Sequence, residues 1–283
     1  MGIQFNQVSY FYRGVKNETY EAINQISLAI QVGEFVAICG QTGSGKTTLV
    51  QHMNALLKPT RGTVQIYEHT IPIQDKKTKI GPIRKKVGLV FQFPEYQLFE
   101  ETILKDIMFG PMNFGLSLKE AEEKARHAAQ LVGLDEAILQ KSPFRISGGQ
   151  MRRVAIAGIL AMEPEMLVLD EPTRGLDPKG SDEMMALFNE LHIKHGKTIV
   201  LITHDMDIVA RYAKRILVMD KGKIKFDGTR ELLFISDEFE KLHLAKPQAY
   251  RMMEYLSKTL GYPFKQVFTE EELLAYMKAV HHE

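Results

Sequence analysis

The chain has 283 residues, 45% hydrophobic and 25% charged, which suits a folded protein with a sizeable core and excludes a disordered or fibrous one. Its net charge of +1 supplies no overall field to gather nucleic acid or an anionic membrane surface. The single cysteine, Cys39, excludes a disulfide framework and fits a reducing compartment.

Residues 3–12 alternate apolar and polar side chains (Ile3, Phe5, Val8, Tyr10), which predicts a half-buried strand. Residues 13–21 predict a loop, and Ala22 to Ile30 a second strand. Val32-Gly33-Glu34 then turns the chain into the apolar run Phe35 to Cys39, a buried strand in which Cys39 reads as a small core residue. Directly after it comes Gly40-Gln41-Thr42-Gly43-Ser44-Gly45-Lys46-Thr47-Thr48, followed by the helical stretch Leu49 to Asn54. Glycines let this backbone fold tightly around one anion, and the helix that starts there adds its positive dipole end. Lys46 can reach β- and γ-phosphates, and the Thr47 hydroxyl is placed to ligate Mg²⁺. The spacing predicts a nucleoside-triphosphate site.

Thr63 to Ile66 reads as a further sheet segment. The stretch from Asp75 to Lys86 is basic and, having no interleaved aromatic residues, predicts a solvated loop and no nucleic-acid partner. Val87 to Phe91 is a short buried strand ending at Gln92, whose amide can bind Mg²⁺ or water. From Pro94 to Lys141 the pattern is mainly helical; Ser117 with Glu120 marks one helix start and Gly133 its end. A helix from Gln150 to Met162 follows, with Arg152 and Arg153 expected to face water or a partner. Met166 to Asp170 and Thr198 to Thr203 are continuous apolar strands of parallel-sheet type, separated by a helix over 181–195. Ile216 to Met219 and Lys223 to Phe226 form a hairpin. Beyond Gly228 the pattern is helical, and Thr269 with Glu272 caps a last helix with Leu273, Leu274, Met277 and Val280 on its apolar side.

No apolar run reaches the ~18 residues of a membrane span. The N-terminus has neither a secretory signal nor, with Asn6 at the sixth position, a myristoylation signal. A cytoplasmic protein is expected, reaching any membrane through a partner.

The remaining chemistry sits at strand ends. Asp170 can hold a Mg²⁺ shell, and Glu171 can take a proton from an attacking water. His204, after the next apolar strand, can bond the γ-phosphate or orient that water. Ser147-Gly148-Gly149-Gln150 opens a helix and offers a second set of N–H donors to phosphate. One chain already cradles its phosphates with residues 40–48, so the simplest use of the second cradle is a nucleotide held by another subunit.

Over residues 3 to about 230 the chain resembles the nucleotide-binding subunits of ATP-binding-cassette (ABC) transporters. The matching motifs are GQTGSGKTT (40–48), Gln92, ISGGQ (146–150), MLVLDEP (166–172), GLD (175–177) and His204; Ile146 replaces the usual Leu. The resemblance implies an α/β P-loop NTPase core with a mainly parallel sheet and an antiparallel β subdomain. It also implies a helical signature subdomain at about 93–160 within an ATPase domain of residues 1–227. Residues 228–283 would be a helical extension open to a dimerisation role. Lys46, Gln92, Glu171 and His204 would be catalytic, and Thr47, Gln92 and Asp170 would hold Mg²⁺. ATP would contact Gly40, Thr42, Gly43, Ser44, Gly45, Lys46, Thr47 and Thr48, and across a dimer Ser147, Gly148, Gly149, Gln150 and Asp177. Tyr12 is the first choice to stack on adenine, with Tyr10 and Phe11 as alternatives.

A narrower resemblance, to the second (A-prime) ATPase of energy-coupling-factor (ECF) vitamin transporters, lies in FQFPEYQLFEETILKDIMFGPMNFGL (91–116), EPTRGLDPKG (171–180) and the extended C-terminus. It implies an ATPase heterodimer at the cytoplasmic membrane face, driving a transmembrane coupling protein and a substrate-binding membrane protein for vitamins or other micronutrients. In the stretch after Gln92, where Tyr96, Leu98 and Phe99 are interspersed with carboxylates, the resemblance suggests a groove for a coupling helix. Glu95 is the first choice to meet an arginine there, before Glu100 and Glu101. A conventional ABC importer or a soluble ABC ATPase of a scaffold complex is the alternative. A chromosome or repair ATPase would carry a long coiled coil between the phosphate loop and the signature, and a ribosome-acting member two cassettes.

Overall fold

Ten strands and ten helices are seen in the computed structural model, which describes residues 1–14, 18–71, 80–236 and 239–281. Asn17 and the stretch Asp75 to Lys79, read above as loop, lie outside the described residues. The strands are β1 (Ile3–Arg13), β2 (Thr19–Ile30), β3 (Phe35–Cys39), β4 (Arg61–Ile66), β5 (His69–Ile71), β6 (Val87–Val90), β7 (Met166–Asp170), β8 (Thr198–Ile202), β9 (Arg215–Asp220) and β10 (Lys223–Gly228). The helices are α1 (Lys46–Met53), α2 (Gly81–Lys86), α3 (Ile103–Asn113), α4 (Leu118–Leu131), α5 (Gly148–Leu160), α6 (Pro178–His195), α7 (Met206–Tyr212), α8 (Arg230–Ile235), α9 (Gln248–Leu260) and α10 (Glu270–His281).

The larger sheet has the order β10-β9-β3-β8-β7-β6, parallel except for the β9–β10 hairpin. Every residue of β3, β6, β7 and β8 is buried, which is why these strands read as unbroken apolar runs. Alternate side chains go to opposite faces. Ala37, Cys39, Leu167, Leu169 and Leu201 join the core under α3 to α6, while Val36, Ile38, Val168, Val200 and Ile202 pack toward α1 and the second sheet. That second sheet is antiparallel, in the order β2-β1-β4-β5.

Helices α3, α4 and α5 pack on one another. α4 starts in the expected reciprocal capping box of Ser117 and Glu120 and buries Ala121, Ala125, Ala128 and Ala129 along one face. Three readings need correction. Arg13 and Thr19 to Glu21, expected in a loop, lie in β1 and β2, which pair as far as Arg13 with Thr19. Arg84, Lys85 and Lys86, expected in a loop, form the last turn of α2, where cations complement the helix dipole. α6 begins at Pro178, not 181, because Asp177 caps it and proline suits the first helical position. Among the described residues no helix is long and apolar enough to cross a membrane. The C-terminal segment is anchored by aromatic residues: Phe234 touches Phe239, Tyr250 and Phe268, and all four belong to the main core.

Candidate active site

The carboxyl ends of β3, β6, β7 and β8 open onto one edge, the place where parallel sheets bind ligands. The loop after β3 is tight. A Cβ on Gly40 would fall 2.2 Å from the Met219 carbonyl oxygen, and one on Gly45 would fall 2.4 Å from that of Ala22. Both residues also have positive φ, so glycine is required twice over. Gly45 ends the loop as the N-cap of α1, without a side-chain cap, which leaves first-turn N–H groups for a ligand. Ser44 Oγ is buried with no partner among the described residues.

Lys46 Nζ donates to the carbonyl oxygens of Gly40 and Gln41 at 2.7 and 2.8 Å. Burial lowers the affinity of this amine for its proton, and the nearby Glu171, Cys39 and Asp170 act against that. Thr47 Oγ1 donates to Asp170 Oδ2 at 3.0 Å. The Asp170 carboxyl is pushed up by burial, with the Thr47 hydrogen bond opposing and Glu171 adding. The Cys39 thiol is pushed up to about 12 by burial, consistent with an inert core residue.

Glu171 follows β7 with a φ of 53°, an uncommon backbone for a non-glycine residue, held by its N–H bond to the Ile202 carbonyl at 3.0 Å. The turn presents its carboxylate to His204, whose Nδ1 lies 2.9 Å from both oxygens. A carboxylate only accepts, so the ring proton is assigned to Nδ1 and Nε2 is left for another group. Glu171 is largely buried and His204 largely exposed, with side-chain exposures of 12% and 72%.

Thr42, Gly43, Gly45, Lys46, Thr47, Thr48, Gln92, Asp170 and Glu171 line one cleft of about 280 Å³ together with Tyr12. Tyr12 shares a hydrogen bond with Thr48 Oγ1 at 3.2 Å. Phe11 instead lies under the Arg61 guanidinium, and Tyr10 packs edge-on between Tyr12 and His52. Two lining residues were not read from the sequence. Tyr20 pairs with Tyr12 across the strands, and it could have been found from the hairpin register. Arg174 lines this cleft and a larger one of about 1220 Å³ that runs past Gly40 and His204 to Gln248 and Glu271.

The second cradle stands apart. Ser147 caps α5, accepting from Gln150 N–H at 3.3 Å, while its own N–H donates to Gln150 Oε1 at 3.1 Å. Ser147, Gly148 and Gly149 are exposed, and neither they nor Gln150 line the clefts that hold Lys46. The Asp177 carboxylate is turned to Gly180 N–H as the cap of α6.

One further correction concerns Arg152, and it bears on Glu95. Arg152, expected to face outward, is buried and forms a two-pronged ion pair with Glu95, the acid expected to meet a partner. Glu101 is also taken, by Lys105 at 2.7 Å, whereas Glu100 forms no ion pair among the described residues.

The residues present fit a nucleotide and its metal. The glycine turns admit backbone only, and a hydroxyl beside a carboxylate is the hard-oxygen donor set that Mg²⁺ takes with phosphate oxygens. A phosphate loop, two carboxylates and a histidine at neighbouring strand ends, with a separate helix-opening SGGQ, define an ABC-type ATPase cassette.

Comparison with known proteins agrees. The ABC transporter family model matches residues 23–174. The energy-coupling factor transporter ATP-binding protein EcfA2 of Bacillus licheniformis is 49% identical, with coverage of 100% of this chain and 99% of that protein. EcfA2 of Enterococcus faecalis is 52% identical over 97% and 95% of the two chains. Among solved structures, cbiO1 of Clostridium perfringens, described as part of the ABC transporter complex cbiONQ, superimposes with a TM-score of 0.72 at 34% identity over 92% of this chain and 95% of that one. The ADP- and phosphate-bound dimer of the cassette MJ0796 gives 0.72 at 31% identity over 80% of this chain and 98% of that one. The chain belongs to the ABC transporter ATP-binding family and, within it, to the energy-coupling factor transporter ATP-binding proteins. It binds ATP and couples its hydrolysis to transport as the motor of an ECF transporter.

Proposed function

We propose that this chain hydrolyses MgATP across an interface with a second ATPase subunit and so drives uptake of a vitamin or other micronutrient. A transmembrane coupling protein and a substrate-binding membrane protein would complete the assembly, with this chain peripheral at the cytoplasmic face. The Glu171–His204 contact beside Lys46 and the Thr47–Asp170 pair carries the reading.

Loop N–H groups and Lys46 hold the β- and γ-phosphates; Lys46 exchanges the Gly40 and Gln41 carbonyls for phosphate oxygens. Thr47, Asp170 and Gln92 would hold Mg²⁺, which neutralises charge on the phosphates. Glu171 accepts the proton of the attacking water, and His204 fixes the orientation of that carboxylate. Tyr12, with Tyr20 beside it, offers a ring to the adenine. Ser147, Gly148, Gly149 and Gln150, with Asp177, serve the nucleotide of the partner subunit. The extension, residues 228–283, is read as docked on the ATPase domain of residues 1–227 and not as a free tail, since Leu233, Phe234 and Phe268 sit in the main core.

The test is Glu171→Gln in an assembled transporter whose only competent ATP site is the one this chain's Glu171 serves. ATP binding is expected to persist while turnover falls on the order of 10²-fold or more, as for loss of a positioned base. Near-normal turnover would remove Glu171 from that role.

A further inference from the structure

Among the described residues Arg152 is the only lysine or arginine in the buried class. It lies on α5, within two turns of the Ser147 cap. Its guanidinium binds in three directions at once. Nε and Nη2 donate to the two carboxylate oxygens of Glu95 at 3.2 and 3.0 Å. Nη1 donates to the carbonyl oxygens of Arg174 at 2.7 Å and Pro172 at 3.3 Å. The pair is shielded, with side-chain exposures of 4% for Arg152 and 15% for Glu95.

Each contact belongs to a different working segment. Glu95 lies in the 3-10 turn Pro94–Gln97, just after Gln92. Pro172 and Arg174 belong to the loop that leaves Glu171. Arg152 itself is carried by the helix that Ser147 opens. Guanidinium is planar and stays charged, so it holds these segments in one geometry and does not let go by losing a proton. Pulling one segment away would strand a buried charge, which is strongly unfavourable.

We propose that Arg152 is a positioning residue for hydrolysis, locking the Gln92 turn and the Glu171 loop to the signature helix so that the three shift as one body. This rests on the roles given above to Gln92 and Glu171. The guanidinium is engaged by Glu95 and two backbone carbonyls; it acts by fixing where the Glu171 loop stands when Ser147 of the same chain engages a nucleotide.

The experiment compares Arg152→Lys and the double variant Arg152→Met/Glu95→Leu with the unaltered chain, each in an assembled transporter whose only competent ATP site is the one this chain's Glu171 serves. Melting temperature, kcat, KM and amide hydrogen exchange at residues 172–176 are measured. Lysine keeps the charge but lacks the fork, and the double variant leaves no unpaired charge. Expected is a roughly 10- to 100-fold fall in kcat for the folded double variant, the scale of loss from a misplaced catalytic group. KM should stay within about 2-fold, because the phosphate loop is untouched. Arg152→Lys should fall between, with faster exchange at 172–176. A folded double variant with unaltered kcat would show that the pair only supports the fold and would overturn the proposal. If the double variant does not fold, unaltered kcat and exchange in Arg152→Lys would do the same. Glu171→Gln measured alongside separates the readings, since full turnover there removes the base while a lower kcat in the Arg152 variants keeps the clamp.

Discussion

His52 lies wholly inside the protein, on the helix that begins at the phosphate loop. Its Nδ1 donates to the Thr48 carbonyl at 2.7 Å, and its Nε2 is buried with no partner among the described residues. Phe5 and Tyr10 pack on the ring edge-on, at 6.5 and 5.1 Å. Burial holds its pKa at about 4, against 6.5 for a free imidazole, and the Thr48 bond only partly opposes this. The group is neutral in both states above the free value, so its full contribution to stability is present there. As pH falls below it, the unfolded chain takes a proton that the folded chain refuses, until the folded pKa is reached. Between pH 7 and pH 5 this single group should cost about 2 kcal/mol of folding stability. Urea unfolding at those two pH values should show that loss in the natural chain and a correspondingly smaller one in His52→Leu. Equal pH dependence in both would mean that the imidazole is not held neutral. The same scale shows what a sequence discloses. Gly40, Lys46, Thr47, Asp170, Glu171 and His204 were legible because each stands at a fixed short distance from the end of a buried strand. Glu95 and Arg152 were not: they meet across 57 positions, and two charged residues on a helical pattern read equally well as solvated.

At the scale of elements, what was legible depended on local capping. α4 and α10 were found from their Ser or Thr caps, whereas α2 and the first turn of α6 were hidden behind Gly-Pro and Pro-Lys-Gly, which read as turns. The turn after Gln92 is the element with most left to explain. Tyr96 and Phe99 are exposed there by 82% and 56%, and Phe99 packs edge-on against the exposed Phe109 of α3 at 4.8 Å. Glu95 is occupied by Arg152, so Glu100 is the remaining acid of this surface for an outside arginine. An ion pair at an open rim contributes about 1 kcal/mol or less, while an aromatic side chain at the centre of an interface contributes about 2 kcal/mol or more. Tyr96→Ala should therefore lower the yield of complex purified from detergent-solubilised membranes more than Glu100→Ala does, and both should leave ATP binding by the chain alone unchanged. Equal and undiminished yields would move the coupling surface away from this turn.

For the whole molecule, the decisive fact is separation. Lys46, Thr47, Asp170, Glu171 and His204 converge at one edge of the sheet, whereas the N–H groups that open α5 face elsewhere, exposed and lining neither cleft. On the proposed reading, the phosphate loop and the α5 cradle of one chain serve different nucleotides, and a second chain would close each site. Ser147 is a poor residue with which to test this, because its removal would also cost the helix cap about 1 kcal/mol. Gly149 is better. A Cβ there meets nothing within 4 Å, and a carboxylate in the first turn complements the helix dipole, so Gly149→Glu should fold normally. The same carboxylate would occupy the N–H groups and repel a phosphate. The chain carrying it should bind its own ATP within about 2-fold of normal, while hydrolysis at the partner's phosphate loop falls roughly 10-fold or more, the loss that follows removal of transition-state donors. Lys46→Ala should do the reverse and weaken nucleotide binding on its own chain. Mixed dimers with one defect placed in each subunit, read by photolabelling of each chain and by single-turnover hydrolysis, separate the cases. Gly149→Glu on this chain and loss of the phosphate-loop lysine on the partner should damage the same composite site and leave the second site intact, whereas Gly149→Glu and Lys46→Ala together on this chain should damage both sites. If instead the two substitutions on a single chain disable only that chain's nucleotide, the sites are not shared and the SGGQ turn serves its own subunit.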